Sequence, residues 1–444
     1  MRKWDTIVIG GGISGLTASI YAAMAGHSVL LLERSSKLGG RAASEIVKGS
    51  VLNAGPHALY KAGEALTVLR ELGIPAEGGQ LPTDGLVMLD GKLLPMPGSA
   101  ARLLSSPFLT WGGKIGIAKF MTGLNRLDPA AFTGLSWQEW VTRSFPNDSG
   151  AQRFLFALGR LWTYADCPER FDAGAMIRQA QIGMKGVYYL HGGWQSLVDS
   201  LRKRAETEGV AFATGRAEAI LAEHGSVAGA RLAGGEQHAA SSIIAAVPPE
   251  EVLRLLNGAG ELLPATRQER LNRSEATYAS CLDIVLKRLP QPRRNFAMHL
   301  EQPLYYSNHS RAAKLNDDGH QVIHLLKYHS SAHGMDASRD RKELEDWMSV
   351  LQPGWKREAV AERYLPRLTT AYGIQTVGQS PLAEDAPLGG LFLSGDWAGG
   401  QSLLADAAVG SAKRAAHGSI RWLRKLHQQQ FDTDMGNRLE RRTI

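Results

Sequence analysis

Residues 4–15 read Trp4-Asp5-Thr6-Ile7-Val8-Ile9-Gly10-Gly11-Gly12-Ile13-Ser14-Gly15, and this stretch, with the residues just after it, decides the fold. A short, β-rich apolar run meets a glycine turn, then a small-residue stretch with helical character through about Ala25. Strand, turn and helix in that order open a βαβ nucleotide unit. Gly10 permits the turn, Gly12 lets the backbone approach a pyrophosphate, and Gly15 lets the helix pack closely on the sheet. The helix start, with Ser14 in its first turn, offers N–H donors and partial positive charge to phosphates. Residues 28–32 form the next strand. Glu33 ends it eighteen residues after Gly15, where a carboxylate accepts hydrogen bonds from the adenosine ribose.

To this point NAD and FAD fit equally well. The same region has a second appearance, because Arg2 and Lys3 precede an uncharged run over residues 6–26 that mimics a signal peptide or membrane span. Gly10, Gly11, Gly12 and Gly15 would interrupt such a run, and strand, turn and helix account for all of it. The chain is therefore expected in the cytoplasm.

Three further segments narrow the cofactor. Glu33-Arg34 runs into Leu38-Gly39-Gly40-Arg41; Asn53-Ala54-Gly55-Pro56-His57 comes next; and Leu391-Phe392-Leu393-Ser394-Gly395-Asp396 leads into a helix through Ala416 near the other end. Together with the glycine turn these resemble the FAD enzymes of the amine oxidase, protoporphyrinogen oxidase and phytoene desaturase superfamily. The resemblance implies non-covalent FAD, with Arg41 on the pyrophosphate through its forked donors. It implies that Gly55, Pro56 and His57 face the flavin, with Asn53 standing where an acid is usual. A backbone group at Ala217 would recognise adenine, Asp396 would bind a ribityl hydroxyl, and N–H groups near Leu404 would point at the pyrimidine end of the ring. Read alone, Asp396 is also explained as a turn acid beside a helix, and the Gly55 segment as an ordinary turn before a helix from Lys61.

The resemblance further implies an α/β chain whose Rossmann-like FAD-binding domain is discontinuous in sequence and carries an inserted mixed α+β substrate domain. We assign residues 1–60, 191–260 and 375–425 to the first and 61–190 and 261–374 to the second. At 444 residues the chain is long enough for two cores. Residues 426–444 read as a basic polar tail that supplies part of the net charge of +7, through Arg438, Arg441 and Arg442 among others. Solvent is the first expectation for that charge and anionic lipid the second. Nucleic acid is not expected, since no recognition motif accompanies it.

Cys167 and Cys281 form no CxxC pair, and the histidines, among them His299, His309, His324, His329 and His333, show no metal-ligand spacing. No metal is expected. No second strand-glycine-helix unit comes after the first, so electrons are expected from the substrate rather than from NADPH. The simplest scheme moves a hydride equivalent from a C–H bond to the flavin, with reoxidation by oxygen, a quinone or another acceptor. Many amine oxidases of the superfamily place a lysine on the strand after Pro248-Pro249, yet Thr277-Tyr278-Ala279-Ser280-Cys281-Leu282-Asp283 holds none; Leu404 stands where an aromatic cage residue is usual. Val409-Gly410-Ser411-Ala412-Lys413 instead resembles the last helix of carotenoid desaturases. The expectation is therefore a small, largely apolar substrate, with carbon–carbon desaturation ahead of amine or porphyrinogen oxidation. Relatives that escort prenylated proteins on this fold supply a non-enzymatic alternative. No acid or base is assigned, although Tyr305, Tyr306, Lys327 and Tyr328 have the alternation of strands that could lie over a flavin. Residues 101–121, apolar and flanked by cations, read as core packing first and membrane contact second.

Overall fold

Thr6, Ile7, Val8 and Ile9 are β-branched and fully or almost fully buried, and Lys3–Ile9 forms the strand they favour. The structure is a computed structural model and describes residues 3–82, 84–256, 265–272, 274, 276–330, 334–378 and 388–440. His333, Arg441 and Arg442 lie outside the described residues.

Val29–Glu33 pairs with Lys3–Ile9 in parallel, and Ala211–Thr214 adds outside it. On the other side Gln237–Ala245 runs parallel to Lys3–Ile9. Its outer edge is shared by the antiparallel strand Ser226–Leu232 near its start and by the parallel strand Leu391–Leu393 near its end. Ala217–Glu223 completes this sheet. Alternation sorts its residues between two cores. Val8, Leu31 and Ile244 face the helices Ile13–Met24, Gly193–Thr207 and Leu404–Glu440, whereas Ile7, Leu30, Leu32 and Ile243 face the helix Pro249–Leu255. Five parallel strands thus end on one side, the side where doubly wound sheets bind ligands.

A second sheet has the order Ala359–Ala371, Thr277–Leu286, Gln321–His329, Leu304–Asn308, Phe296–His299, Leu86–Leu89 and Lys92–Pro95. One face packs on the helix Ala337–Leu351 through Leu282, Ile284, Tyr306, Leu325, Leu344, Trp347 and Met348. Its other face carries Ala279, Cys281, Tyr305, Leu326 and Tyr328. A helical layer drawn from residues 100–183 holds a separate core around Trp137, Phe154 and Met176.

Two expected boundaries move, and one segment expected as a unit is divided. The helix expected from Lys61 is Glu64–Glu71, because Asp406 Oδ1 accepts from the Ala65 N–H and caps its first turn. The final helix does not stop near Ala416 but continues to Glu440, so the supposed tail is helical as far as it is described. Neither proline nor a left-handed glycine interrupts it, and Gly418 fits because a Cβ there would lie 2.7 Å from Phe392. Residues 101–121 are divided: Ile117 and Phe120 are core, while Leu104, Trp111 and Ile115 are exposed. Among the described residues no helix is long and apolar enough to cross a membrane.

Candidate functional site

A cavity of about 480 Å³ opens where the five parallel strands end and is closed on the opposite side by the second sheet. Its floor is the glycine turn. Gly10 has φ +107°, and a side chain there would collide with the Ala246 carbonyl oxygen; one on Gly15 would collide with the Gly10 carbonyl oxygen. Both are needed by the protein's own packing. Gly12 is different. An added Cβ would meet nothing nearer than the Gly39 oxygen at 4.0 Å, so the chain itself does not require glycine there. What a side chain would enter is the cavity, which Gly12 lines at the N-cap of Ile13–Met24. That is the fit expected when a phosphate group must approach bare backbone at a helix start.

Glu33 stands at the cavity edge with Oε2 accepting from Gly11 N (2.6 Å) and Oε1 from Ser35 N (3.0 Å). Its carboxylate braces the turn while remaining at the wall. Arg34 lies beside it, exposed. Gly39 and Gly40, both at positive φ, bring the chain back across the turn, where Gly39 N donates to Gly11 O (2.9 Å). Ser14, buried, shares a hydrogen bond with Ser394.

Arg41 and Asp396, read from the sequence as two separate cofactor contacts, are joined here. Arg41 Nη2 donates to Asp396 Oδ1 (2.6 Å) and Nη1 to Oδ2 (2.9 Å), the forked geometry of a strong pair. Tyr372 N also donates to Oδ2 (3.0 Å), and the Tyr372 ring lies 4.8 Å from the guanidinium carbon. Gly395, at φ +148°, lets the chain turn directly into this acid. Ala217 lines the far end with its carbonyl accepting from Arg254 Nη2 (2.8 Å).

The second sheet supplies the apolar wall. Leu326 and Leu368 line the cavity, with Tyr164, Pro56 and His57. Burial draws the His57 imidazole down to about 4, so it is neutral at pH 7, and Nδ1 is assigned as donor to the Gly55 carbonyl (3.0 Å). Of the four strand residues considered over a flavin, Tyr305 and Tyr328 sit on the cavity side of the sheet; Tyr306 and Lys327 do not. Lys327 is held on the opposite face by Asp340 (2.8 Å) and Glu343 (2.7 Å).

The start of Leu404–Glu440 forms the remaining wall through Leu404, Ala405 and Ala408. Leu404 has φ +56°, a strained conformation for a non-glycine residue, and it turns the helix start into the cavity. Of the site residues expected from the sequence, only Gly15 and Gly55 do not line the cavity. A Cβ on Gly55 would lie 2.6 Å from Leu368, so this glycine lets the turn lie flat on the second sheet.

Two groups went unseen in the sequence. Asp406, one turn into the final helix, is buried with Oδ1 on Ala65 N (2.8 Å), and burial pushes its carboxyl up to about 7. Cys281, Asp283 and His324 form a buried cluster whose ligating atoms lie within 4.8 Å, although the sequence shows no metal-ligand spacing. The Asp283 carboxylate is already surrounded by His324 Nδ1 (2.5 Å), Cys281 Sγ (3.1 Å) and Arg363 Nη2 (2.6 Å). Burial would raise this carboxyl, but His324 and Arg363 overcome that and hold it below the ordinary value. The trio is a hydrogen-bonded cluster tied to a guanidinium.

Among curated proteins, the chain is 26% identical to hydroxyneurosporene desaturase of Rubrivivax gelatinosus over 287 residues, 55% of this chain and 53% of that protein. It is 28% identical to protoporphyrinogen oxidase of Bos taurus over 254 residues, 47% of this chain and 52% of that protein. The chain thus spans about half the length of the curated relatives it matches. A crystal structure of an oxidoreductase from Methanosarcina mazei superposes with a TM-score of 0.76 at 16% identity, covering 92% of this chain and 98% of that one, which shows a shared fold. The profile of one family spans residues 13–418, from the first helix to the last, and the chain belongs to that family, the flavin containing amine oxidoreductases.

Proposed function

We propose that the chain binds FAD non-covalently in this cavity and uses it to remove a hydride equivalent from a small, largely apolar substrate. Carbon–carbon desaturation of an isoprenoid- or carotenoid-like molecule is the leading chemistry. The observation that carries the reading is convergence: the Gly12 cradle, Glu33, the Arg41–Asp396 pair and the Leu404 helix start all meet in one cavity. In this reading Gly10, Gly12, Ser14, Gly39 and Gly40 receive the pyrophosphate with Arg34 and Arg41 nearby. Glu33 takes the ribose, Ala217 the adenine, and Gly395 and Asp396 the ribityl chain. Residues 1–60, 191–260 and 375–425 form the cofactor unit, and 61–190 and 261–374 the substrate unit. FAD, when bound, supplies a ring that accepts a hydride equivalent and passes the electrons on to oxygen, a quinone or another acceptor.

The residues of this chain do the rest. Leu326, Leu368 and Tyr164 exclude water from the wall facing the cofactor, and neutral His57 adds no charge there. The cavity side of Thr277–Leu286 carries no lysine, and Lys327 is committed to Asp340 on the far face. This favours an apolar chain over an amine. Oxidation of a porphyrinogen is the second reading, supported by the bovine relative's name. Non-covalent attachment is supported by the two cysteines, both buried and neither near residues 395–416.

The test is anaerobic mixing of the yellow protein with an isoprenoid polyene, an amine and a porphyrinogen while the flavin absorbance is followed. Bleaching by the polyene is expected. Bleaching by the amine alone would overturn the substrate class, and a colourless protein that takes up no FAD would favour the escort reading. Flavin should also be released by acid precipitation.

Within a cytoplasmic setting we also propose peripheral contact with anionic membranes. Leu104, Trp111 and Ile115 are exposed beside Arg102, Lys114, Lys119 and Arg126, and no acid occurs over residues 91–127. Co-sedimentation with phosphatidylglycerol vesicles but not phosphatidylcholine vesicles is expected, and Trp111→Ser should weaken it. Equal recovery with both vesicle types would remove the idea.

A further inference from the structure

Arg363, Asp283 and His324 stand directly opposite one another on three neighbouring strands of the second sheet. Asp283 and His324 are fully buried, and the Arg363 side chain is 15% exposed. Such a row is costly to bury, and apolar residues of similar volume would hold three strands together as well. Its value must therefore lie in where it points. Arg363 reaches beyond its own sheet: Nη1 donates to Glu45 Oε2 (2.7 Å), and Nη2, besides binding Asp283, donates to the carbonyl oxygen of Asn53.

That carbonyl is a junction. It also accepts from Gly55 N (2.8 Å), closing the turn that leads into Pro56 and His57 at the cavity wall. The Asn53 side chain is pinned from the other direction, its Oδ1 accepting from Ser44 Oγ (2.8 Å) and from Trp194 N (2.9 Å) at the start of Gly193–Thr207. Trp194 in turn lines the cavity with its ring 5.0 Å from that of His57. Asn53 is thus where the charged row of one sheet meets a helix start packed on the other. The turn sits close on the second sheet, since a side chain at Gly55 would collide with Leu368.

We propose that Asp283 is a positioning residue of the flavin cavity: its carboxylate locks the Arg363 guanidinium under the Asn53 carbonyl and so sets the wall formed by residues 54–57 against the cofactor. Asp283 does not line the cavity and touches neither cofactor nor substrate; it acts through Arg363 and Asn53. The inference rests on the proposed binding of FAD in this cavity.

Three variants test it, each read by the melting temperature of the apoprotein, by FAD affinity from fluorescence titration, and by the visible circular dichroism of bound flavin. Asp283→Asn removes the buried anion of Arg363 and leaves only the exposed Glu45 carboxylate; FAD should bind about tenfold more weakly with an altered dichroic band. Arg363→Lys keeps a cation opposite Asp283 but gives up the fork that reaches Asn53, and the same two changes are expected. Asp283→Leu combined with Arg363→Met replaces the row by apolar volume. It should melt near the wild type yet keep the weakened affinity and changed band, which a purely structural pair would not do. Wild-type affinity and dichroism in the double variant, or in Arg363→Lys, would overturn the proposal. A wild-type protein that bound no FAD would instead overturn the cofactor reading.

Discussion

Asp396→Ala is expected to purify without flavin colour and to bind added FAD about a hundredfold more weakly than the wild type. The substitution removes more than one contact. Asp396 is 3% exposed and accepts from both arms of Arg41 and from Tyr372 N. Without it the guanidinium loses its anion at the cavity wall and Tyr372 N loses its acceptor. Breaking a fully buried pair costs roughly 3–5 kcal/mol. Arg41 is 38% exposed, so solvent recovers part of that, and about 2–3 kcal/mol remains. Asp396→Asn, which keeps one acceptor oxygen, should fall between the two. A yellow Asp396→Ala preparation with wild-type affinity by fluorescence titration would remove Asp396 from the site.

The second large effect concerns pH. Asp406 has its carboxyl pushed up to about 7 in the folded chain, against an ordinary value of 3.8. Burial is the main cause and Glu64 adds to it, while the hydrogen bond from Ala65 N opposes both. A raised carboxyl holds its proton longer in the folded state than in the unfolded one. Stability from this group is therefore complete below about pH 4, declines as pH rises, and is gone above about pH 7. The swing is on the order of a few kcal/mol. Asp406→Asn accepts the same Ala65 bond and does not ionise, so it should melt with the wild type at pH 4 and several degrees above it at pH 8. A difference that is flat across the series, or that grows toward low pH, would show that Asp406 does not carry this proton.

What the sequence disclosed was what lies close along it. The strand, glycine turn, helix and Glu33 fall within one stretch of about thirty residues, and their local geometry comes from residue type alone. Asp396 was visible as the end of a short apolar strand. That it would meet Arg41, 355 positions away, was not, because each was explained by a ligand contact of its own. The Arg363–Asp283–His324 row was wholly hidden. It depends on the register of three antiparallel strands, and a one-residue shift of any one of them would have sent its side chain to the other face, away from the other two. The same rule placed Tyr305 and Tyr328 toward the cavity and Tyr306 and Lys327 away from it. Asp406 reads as an ordinary first-turn acid on its own helix; its buried role is to cap a different one.

Two closing pieces of the cavity, Asp396 and the Leu404 helix start, come far after the glycine turn along the chain. A chain leaving the ribosome therefore displays the glycine turn long before these two pieces exist. Until position 408 has emerged and docked, the wall formed by Asp396, Leu404, Ala405 and Ala408 is missing from the cavity. In the proposed reading, capture of the cofactor waits on residues 396–408, and supply of the dinucleotide bears on the chain once these have docked.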